Sequence, residues 1–174
     1  YEADDIIATY CKQAEKKKID SIIVSSDKDL MQLVTKEITM LDPMKNKKIG
    51  IDQVIEKFGL PPEKVIQIQA LTGDKVDNIP GAPGIGPKTA LQLIQEFGDV
   101  YKLIQNANKI PQDKRRNIIL NHEEDILISL KLVKLKNDIK LPIDINEIHT
   151  YSSINKNDNL SKFLSTQGFK SIAE

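Results

Sequence analysis

The chain has 174 residues, the length of one domain or of a domain with a small subdomain. Hydrophobic residues make up 40% and charged residues 29%, the balance of an ordinary globular chain, and no apolar run approaches the ~18 residues of a membrane span. Lys and Arg number 25 and Asp and Glu number 25, so no global basic field announces a nucleic-acid binder, and any such role rests on local patches.

Apolar residues at Ala3, Ile6, Ile7, Tyr10, Cys11 and Ala14 have the spacing of an amphipathic helix that begins almost at Tyr1. A start this abrupt, without Met, suggests a piece of a longer protein. Cys11 is the single cysteine. It forms no internal disulfide, which suggests a reducing compartment, and with two histidines the chain lacks the ligands of a structural zinc site. After a polar break at Lys16–Asp20, Ser21–Ser25 reads as a buried parallel strand. Lys28–Val34 has helical spacing, Ile38–Leu41 reads as a second strand, and a turn leads into the short segment Lys47–Ile49. Helix, strand, helix, strand is an α/β order and implies a parallel sheet, with its remaining strands expected upstream of Tyr1.

The pattern changes at Ile51. Helices are predicted over Asp52–Phe58, ended by Gly59 and Pro61, over Pro62–Leu71, and over Pro87–Phe97, ended by Gly98. A Gly- and Pro-rich stretch, Thr72–Gly86, separates the last two. Lys109–Arg116 reads as a basic loop before a long amphipathic helix, Glu123–Leu135. Leu141–Ile143 and Asn155–Asn159 read as loops, and a short helix, Asn159–Thr166, closes the chain.

Acidic residues gather at three element ends: Glu2, Asp4 and Asp5; Asp27 and Asp29; Asp74 and Asp77. Taken singly, each group has an ordinary explanation in helix dipoles, capping or turn chemistry. Asp27 and Asp29, however, directly follow a predicted parallel strand, where open α/β sheets place their sites. Clustered carboxylates repel unless cations neutralise them, and hard oxygen ligands without Cys or His select Mg²⁺ or Mn²⁺. Gly81–Thr89 is not a P-loop, because Pro87 intrudes between Gly86 and Lys88 and no strand leads into it. Asp27-Lys28-Asp29 is not an EF-hand, because Met31 and Gln32 stand where ligand and glycine belong. The glycines do allow close backbone approach, and the helix start after Gly86 offers N–H groups and Lys88 to a phosphate without reading base sequence.

Glu2-Ala3-Asp4-Asp5, Ser26-Asp27-Lys28-Asp29, Gly73-Asp74-Lys75-Val76-Asp77-Asn78-Ile79-Pro80-Gly81 and Gly84-Ile85-Gly86-Pro87-Lys88-Thr89-Ala90 occur in this order at suitable intervals. Together they resemble the 5′-nuclease (5′-3′ exonuclease) domain of bacterial DNA polymerase I, in the flap endonuclease superfamily. The likeness runs from Tyr1 to about Leu135 and more loosely to Phe169.

The resemblance implies an α/β fold: a partial PIN-like parallel-sheet core with an inserted helix–three-turn–helix DNA-binding subdomain. Residues 1–50 would be the C-terminal part of the core, 51–120 the helical subdomain, and 121–174 helices and loops packing back on the core. Glu2, Asp4, Asp5, Asp27, Asp29, Asp74 and Asp77 match the family's acidic cluster around two Mg²⁺ or Mn²⁺ ions, with Asp4, Asp5, Asp27 and Asp29 nearest the chemistry. Gly81, Gly84, Ile85, Gly86, Lys88 and Thr89 match its DNA-backbone clamp, where loop carbonyls also hold K⁺ in relatives. Implied partners are branched or nicked duplex DNA, 5′ flaps, and polymerase domains in the same polypeptide, which would be a monomer in the cytoplasm, associated with the nucleoid and not with membrane. The family's opening strand, further aspartates and helical arch have no counterpart here, so the chain alone is expected to be nearly inactive. The alternative is a non-catalytic, sequence-independent duplex-binding module.

Overall fold

Ile23 sits in register with Met40 across two parallel strands, and Met40 in turn faces Ile49 across an antiparallel pair. These contacts define a three-stranded sheet in the order β1 (Ser21–Val24), β2 (Ile38–Asp42), β3 (Lys47–Ile49). They come from a computed structural model that describes residues 1–148 and 158–169. The sheet is therefore mixed, where the sequence order implied a parallel one. The reversal is local: the Asp42 carboxylate accepts the Met44 and Lys45 N–H groups at 3.0 and 3.2 Å, and Asn46 takes a left-handed φ of 48°, which closes a tight turn.

Helix α1 (Ala3–Lys16) starts where the Glu2 N–H donates to Asp5 Oδ2 at 3.2 Å, one half of a capping box. Its Cys11 joins a core with Ile23, Leu30, Met31, Val34, Ile38, Met40 and Ile49. The expected helix over Lys28–Val34 is a five-residue 3₁₀ turn, Asp29–Leu33. Strand β1 was expected to be buried on both faces and is not. Ile23 lies in the core, but Ile22 and Val24 are 63% and 64% exposed. Side chains alternate across a strand, and the core packs on one face only.

Helix α2 (Ile51–Phe58) adds Val54 to the sheet's core and ends at Gly59, whose left-handed φ of 73° favours glycine. Beyond it a second core forms. A 3₁₀ turn at Pro62–Lys64 leads into α3 (Val65–Thr72), followed by α4 (Pro87–Phe97), α5 (Val100–Gln105), a 3₁₀ turn at Ala107–Lys109, α6 (Asp113–Asn121) and α7 (Glu123–Val133). Leu71, Leu93, Leu103, Ile119 and Ile126 are fully buried among them. Helices α5 and α6 are additions to the predicted set. Lys114, Arg115 and Arg116 thus lie on the first turns of a helix and not in a loop.

The segment after α7 returns to the sheet region. Gln32 Nε2 donates to the Val133 carbonyl at 2.9 Å, Leu135 N–H donates to Gln32 Oε1 at 3.2 Å, and Lys136 N–H donates to Asp5 Oδ1 at 2.8 Å. These bonds set the acidic segments of the sheet region beside the helical core.

Residues 142–174 form a separate unit. Its described part holds a 3₁₀ turn at Ile145–Glu147 and α8 (Asp158–Thr166), which matches the predicted closing helix to within a residue. Of the predicted loop at Asn155–Asn159, residues 155–157 lie outside the described residues. Among the described residues no helix is long and apolar enough to cross a membrane.

Candidate functional site

Five of the seven singled-out acids open into one cleft of about 300 Å³: Glu2 and Asp4 from the start of α1, Asp27 and Asp29 from the loop after β1, and Asp77 from the loop after α3. Leu132, Val133 and Leu135 form its apolar wall. The local backbone explains the pairing of Asp27 with Asp29. Asp27 N–H donates to Ser25 Oγ at 3.1 Å, and Asp27 Oδ1 accepts the Asp29 N–H at 2.9 Å. The resulting turn at the carboxyl end of a parallel strand aims both side chains off the sheet's rim. Burial pushes the Asp4 carboxyl above its ordinary range, and the neighbouring Asp27, Glu2, Asp29 and Asp5 charges push it further. Asp29 is raised by burial and by Asp27, with Lys28 and a hydrogen bond from Gln69 Nε2 acting against them. Such shifts mark carboxylates crowded more tightly than charge alone allows.

The other two acids are placed differently. Asp5 spends both oxygens inside the chain, Oδ2 on the Glu2 N–H and Oδ1 on the Lys136 N–H. It holds the strap after α7 and does not line the cleft, although its motif position put it among the four acids nearest the chemistry. Asp74 forms an ion pair with Lys28, accepts the Val76 N–H at 2.8 Å and is bridged through its backbone to Ile79. The Lys28 ammonium beside it holds the Asp74 carboxyl below the usual range, and Asp74 raises Lys28 in return. Asp74 lines a neighbouring cavity of about 240 Å³ that shares Asp29 with the acidic cleft.

Hard carboxylate oxygens around one crowded cleft are the donor chemistry of Mg²⁺ or Mn²⁺. Among the described residues, however, no three of them close into a metal-holding group. The donors fit the ions in kind, and the set is open.

In the glycine loop, two of the expected DNA contacts are committed to the fold. Gly81 has φ 60°, its N–H donates to the buried Ser129 Oγ at 2.8 Å, and an added Cβ would lie 2.3 Å from the Gly73 nitrogen. Ile85 is buried and its N–H donates to the Ala82 carbonyl at 3.0 Å. Neither N–H is available to a phosphate. Gly84, Gly86 and Lys88 are exposed and Thr89 is half-buried. Pro87 opens α4, leaving the first-turn N–H groups of Lys88 and Thr89 without helical partners. An open cleft of about 300 Å³ beside Gly84 and Thr89 is also lined by Gln112, Lys114 and Arg115. Lys114 and Arg115 join this cleft from outside the glycine-loop motif. Their signal was the basic run Lys109–Arg116, whose helical start brings the two cations to the glycine loop.

The family described as "5'-3' exonuclease, N-terminal resolvase-like domain" matches residues 1–59, and that described as "5'-3' exonuclease, C-terminal SAM fold" matches residues 60–157. The join falls between α2 and the 3₁₀ turn at Pro62–Lys64. DNA polymerase I of Rhizobium leguminosarum is 55% identical over 148 residues, which cover 85% of this chain and 15% of that protein. A 5'-3' exonuclease of Aquifex aeolicus is 38% identical over 148 residues, covering 85% of this chain and 50% of that protein. The chain therefore spans half the length of that exonuclease and a small part of the polymerase. Among solved structures, T5 5'-exonuclease with bound zinc superposes with a TM-score of 0.73 and 28% identity over 78% of this chain and 50% of that one. The catalytic core of Rad2 in complex with DNA substrate shares the fold, with a TM-score of 0.56 and 20% identity over 95% of this chain and 57% of that one. On these matches the chain belongs to the 5'-3' exonuclease family.

Proposed function

We propose that this chain is part of a metal-dependent 5′-3′ exonuclease and flap endonuclease that removes 5′ flaps and RNA primers, within a polypeptide of the DNA polymerase I type. The observation that carries this reading is the meeting of Glu2, Asp4, Asp27, Asp29 and Asp77, from three distant segments, in one cleft. T5 5'-exonuclease, 28% identical, carries divalent zinc, and a T5 flap endonuclease, 27% identical, is seen with DNA and metal ions, which supports both the ions and the substrate.

Asp4, Asp27, Asp29 and Asp77, with Glu2 at the rim, are the residues that would hold two Mg²⁺ or Mn²⁺ ions. Bound in this way, such ions supply Lewis acidity at a scissile phosphodiester. The chain's own residues do the rest. The Asp27–Asp29 turn fixes two carboxylates at the strand end. Gly84, Gly86, Lys88 and Thr89, joined by Lys114 and Arg115, grip duplex phosphates without reading bases. The loop carbonyls would hold a K⁺ ion as part of the same grip. No protein nucleophile is needed: Cys11 is buried, and its thiol is pushed up to about 11. Because no three carboxylates close among the described residues, the chain alone would bind ions weakly and cut little. The same observation favours a second reading, a duplex-binding module without catalysis. The polypeptide would act as a monomer on nicked or branched DNA in the cytoplasm.

A graft separates the two readings. With this chain in place of the matching segment of the A. aeolicus 5'-3' exonuclease, the expected result is Mg²⁺-dependent cleavage of a 5′-flap duplex, lost on Asp27→Ala. A folded graft that binds the duplex but leaves flaps uncut in Mg²⁺ and Mn²⁺ would overturn the nuclease reading and leave the duplex-binding one.

A further inference from the structure

Gln69, on α3, is 8% exposed, and the two halves of its amide are treated unequally. Nε2 donates to Asp29 Oδ1 in the sheet region, 40 residues away in sequence. Oε1 is buried and has no hydrogen-bond partner, the one such side-chain atom among the described residues. A buried, unpaired carbonyl is unfavourable, so a glutamine kept here for packing alone would be inferior to an apolar side chain of the same size. Turning the amide over would set Oε1 against the Asp29 carboxylate, an acceptor facing an acceptor. The charge of Asp29 therefore fixes which way the amide lies, and the unpaired Oε1 is the consequence.

The effect on Asp29 is equally specific. Its Oδ1 is engaged by Gln69, and no hydrogen bond reaches its Oδ2 among the described residues. Asp29 also lines the cleft that holds Glu2, Asp4, Asp27 and Asp77. Holding one oxygen fixes the plane of the carboxylate and keeps the second oxygen for the cleft. We infer that Gln69 is a positioning residue, whose amide N–H orients Asp29 so that Oδ2 serves as a ligand to a divalent cation in the acidic cleft. The inference rests on the metal reading proposed above. It ties the helical region to the metal site, because the donor stands on α3 and the ligand on the loop after β1. Partners that orient a ligating carboxylate are worth 10–100-fold in metal affinity.

The test reads ion binding and folding, not cleavage. Water-proton relaxation during Mn²⁺ titration gives the affinity, and thermal melting in chelator gives the stability, for the 174-residue wild-type protein and for Gln69→Leu, Gln69→Met and Asp27→Ala. In Gln69→Leu, Mn²⁺ binding is expected to weaken at least about tenfold, while Tm in chelator changes little, because loss of the bond to Asp29 is offset by removal of the unpaired oxygen. A glutamine needed only for packing would give the reverse, a lower Tm with unchanged affinity. If Gln69→Leu melts lower, Gln69→Met decides at a temperature where both are folded: weakened Mn²⁺ binding in both variants upholds the positioning role, and unchanged binding in either overturns it. Wild-type Mn²⁺ binding that is sensitive to Asp27→Ala but equal in Gln69→Leu overturns the role of Gln69 alone. A wild-type protein that binds no more Mn²⁺ than Asp27→Ala overturns the inference for this chain, while Mg²⁺-dependent cleavage by the graft decides the metal reading separately.

Discussion

Between Val65 and Val133 five helices bury their apolar side chains against one another, whereas the three strands before Gly59 are covered on one face and leave Ile22 and Val24 open on the other. The difference recurs in the chemistry of the two regions. The helical region gathers Gly84, Thr89 and the α6 cations Lys114 and Arg115 around one open cleft. The sheet region collects carboxylates into a cleft, yet no three close among the described residues. A phosphate needs only a few N–H groups and a diffuse positive charge, which a helix start and two lysines already supply. A divalent ion needs several oxygens at fixed positions, a far stricter demand on the backbone. We therefore expect the helical region to hold duplex phosphates by itself, and the acidic cleft to need more than its own carboxylates to fix an ion.

Four measurements break or sharpen this comparison, beginning with the largest effect. Leu93→Ala, at a fully buried site between helices, is expected to cost about 3 kcal/mol in chemical denaturation, while Ile22→Thr on the open sheet face costs less than about 0.5 kcal/mol. Equal losses would mean that the sheet face is covered after all. Gly81→Ala should cost at least about 2 kcal/mol, since it combines a left-handed φ with a backbone clash. A neutral result in the same denaturation would show that the Gly73–Gly81 crossing can open.

Asp27→Asn should stabilise the metal-free protein by roughly 0.5 kcal/mol at neutral pH. It keeps the acceptor for the Asp29 N–H and removes a charge that repels Asp4 and Asp29. The sign follows from linkage. Both carboxyls titrate above the ordinary aspartate value when folded, so the folded state holds the extra protons and stability falls as pH rises through that window. The gain from Asp27→Asn should therefore be full at neutral pH and vanish as pH falls toward 3.8. Melts in chelator across that range check it, and a gain that persists at the acid end would assign the effect to something other than charge repulsion. The smallest effect belongs to the helical region. Lys88→Ala should weaken binding to every duplex alike and make the salt slope shallower by about one unit. Sequence-selective loss would contradict a grip on phosphates.

Much of this was legible from residue order. The apolar period of α1, the Pro starts and Gly stops around α4, and the short apolar runs of β1 and β2 each encode one element locally. The parts that were not legible depend on distant partners or on weak local signals. Strand β3 is three residues long, and its direction is set by the Asp42–Asn46 turn. Helix α6 buries only Ile119, so its polar sequence gives no amphipathic pattern, and its cations looked like a loop. At the site, the grouping of Asp4, Asp27, Asp29 and Asp77 follows the motifs. The separate fates of Asp5 and Asp74 turn on Lys136, 131 residues from Asp5, and on Lys28, 46 residues from Asp74. Gly81 shows the same limit. Its need for a left-handed backbone is written in the sequence, but the loss of its N–H to Ser129 is visible only in the folded chain.

The central proposal is that the exposed surface around Gly84 and α6 grips phosphates by itself, whereas the acidic cleft beside it does not hold its ions alone. Titrating the purified protein with a 5′-flap duplex, with and without Mg²⁺, and following binding and cleavage in the same samples tests it most directly. The expected result is salt-sensitive, sequence-indifferent binding with the flap left essentially uncut. Robust cleavage that disappears in Asp27→Ala would contradict it, because the acids of this chain would then suffice to complete the site.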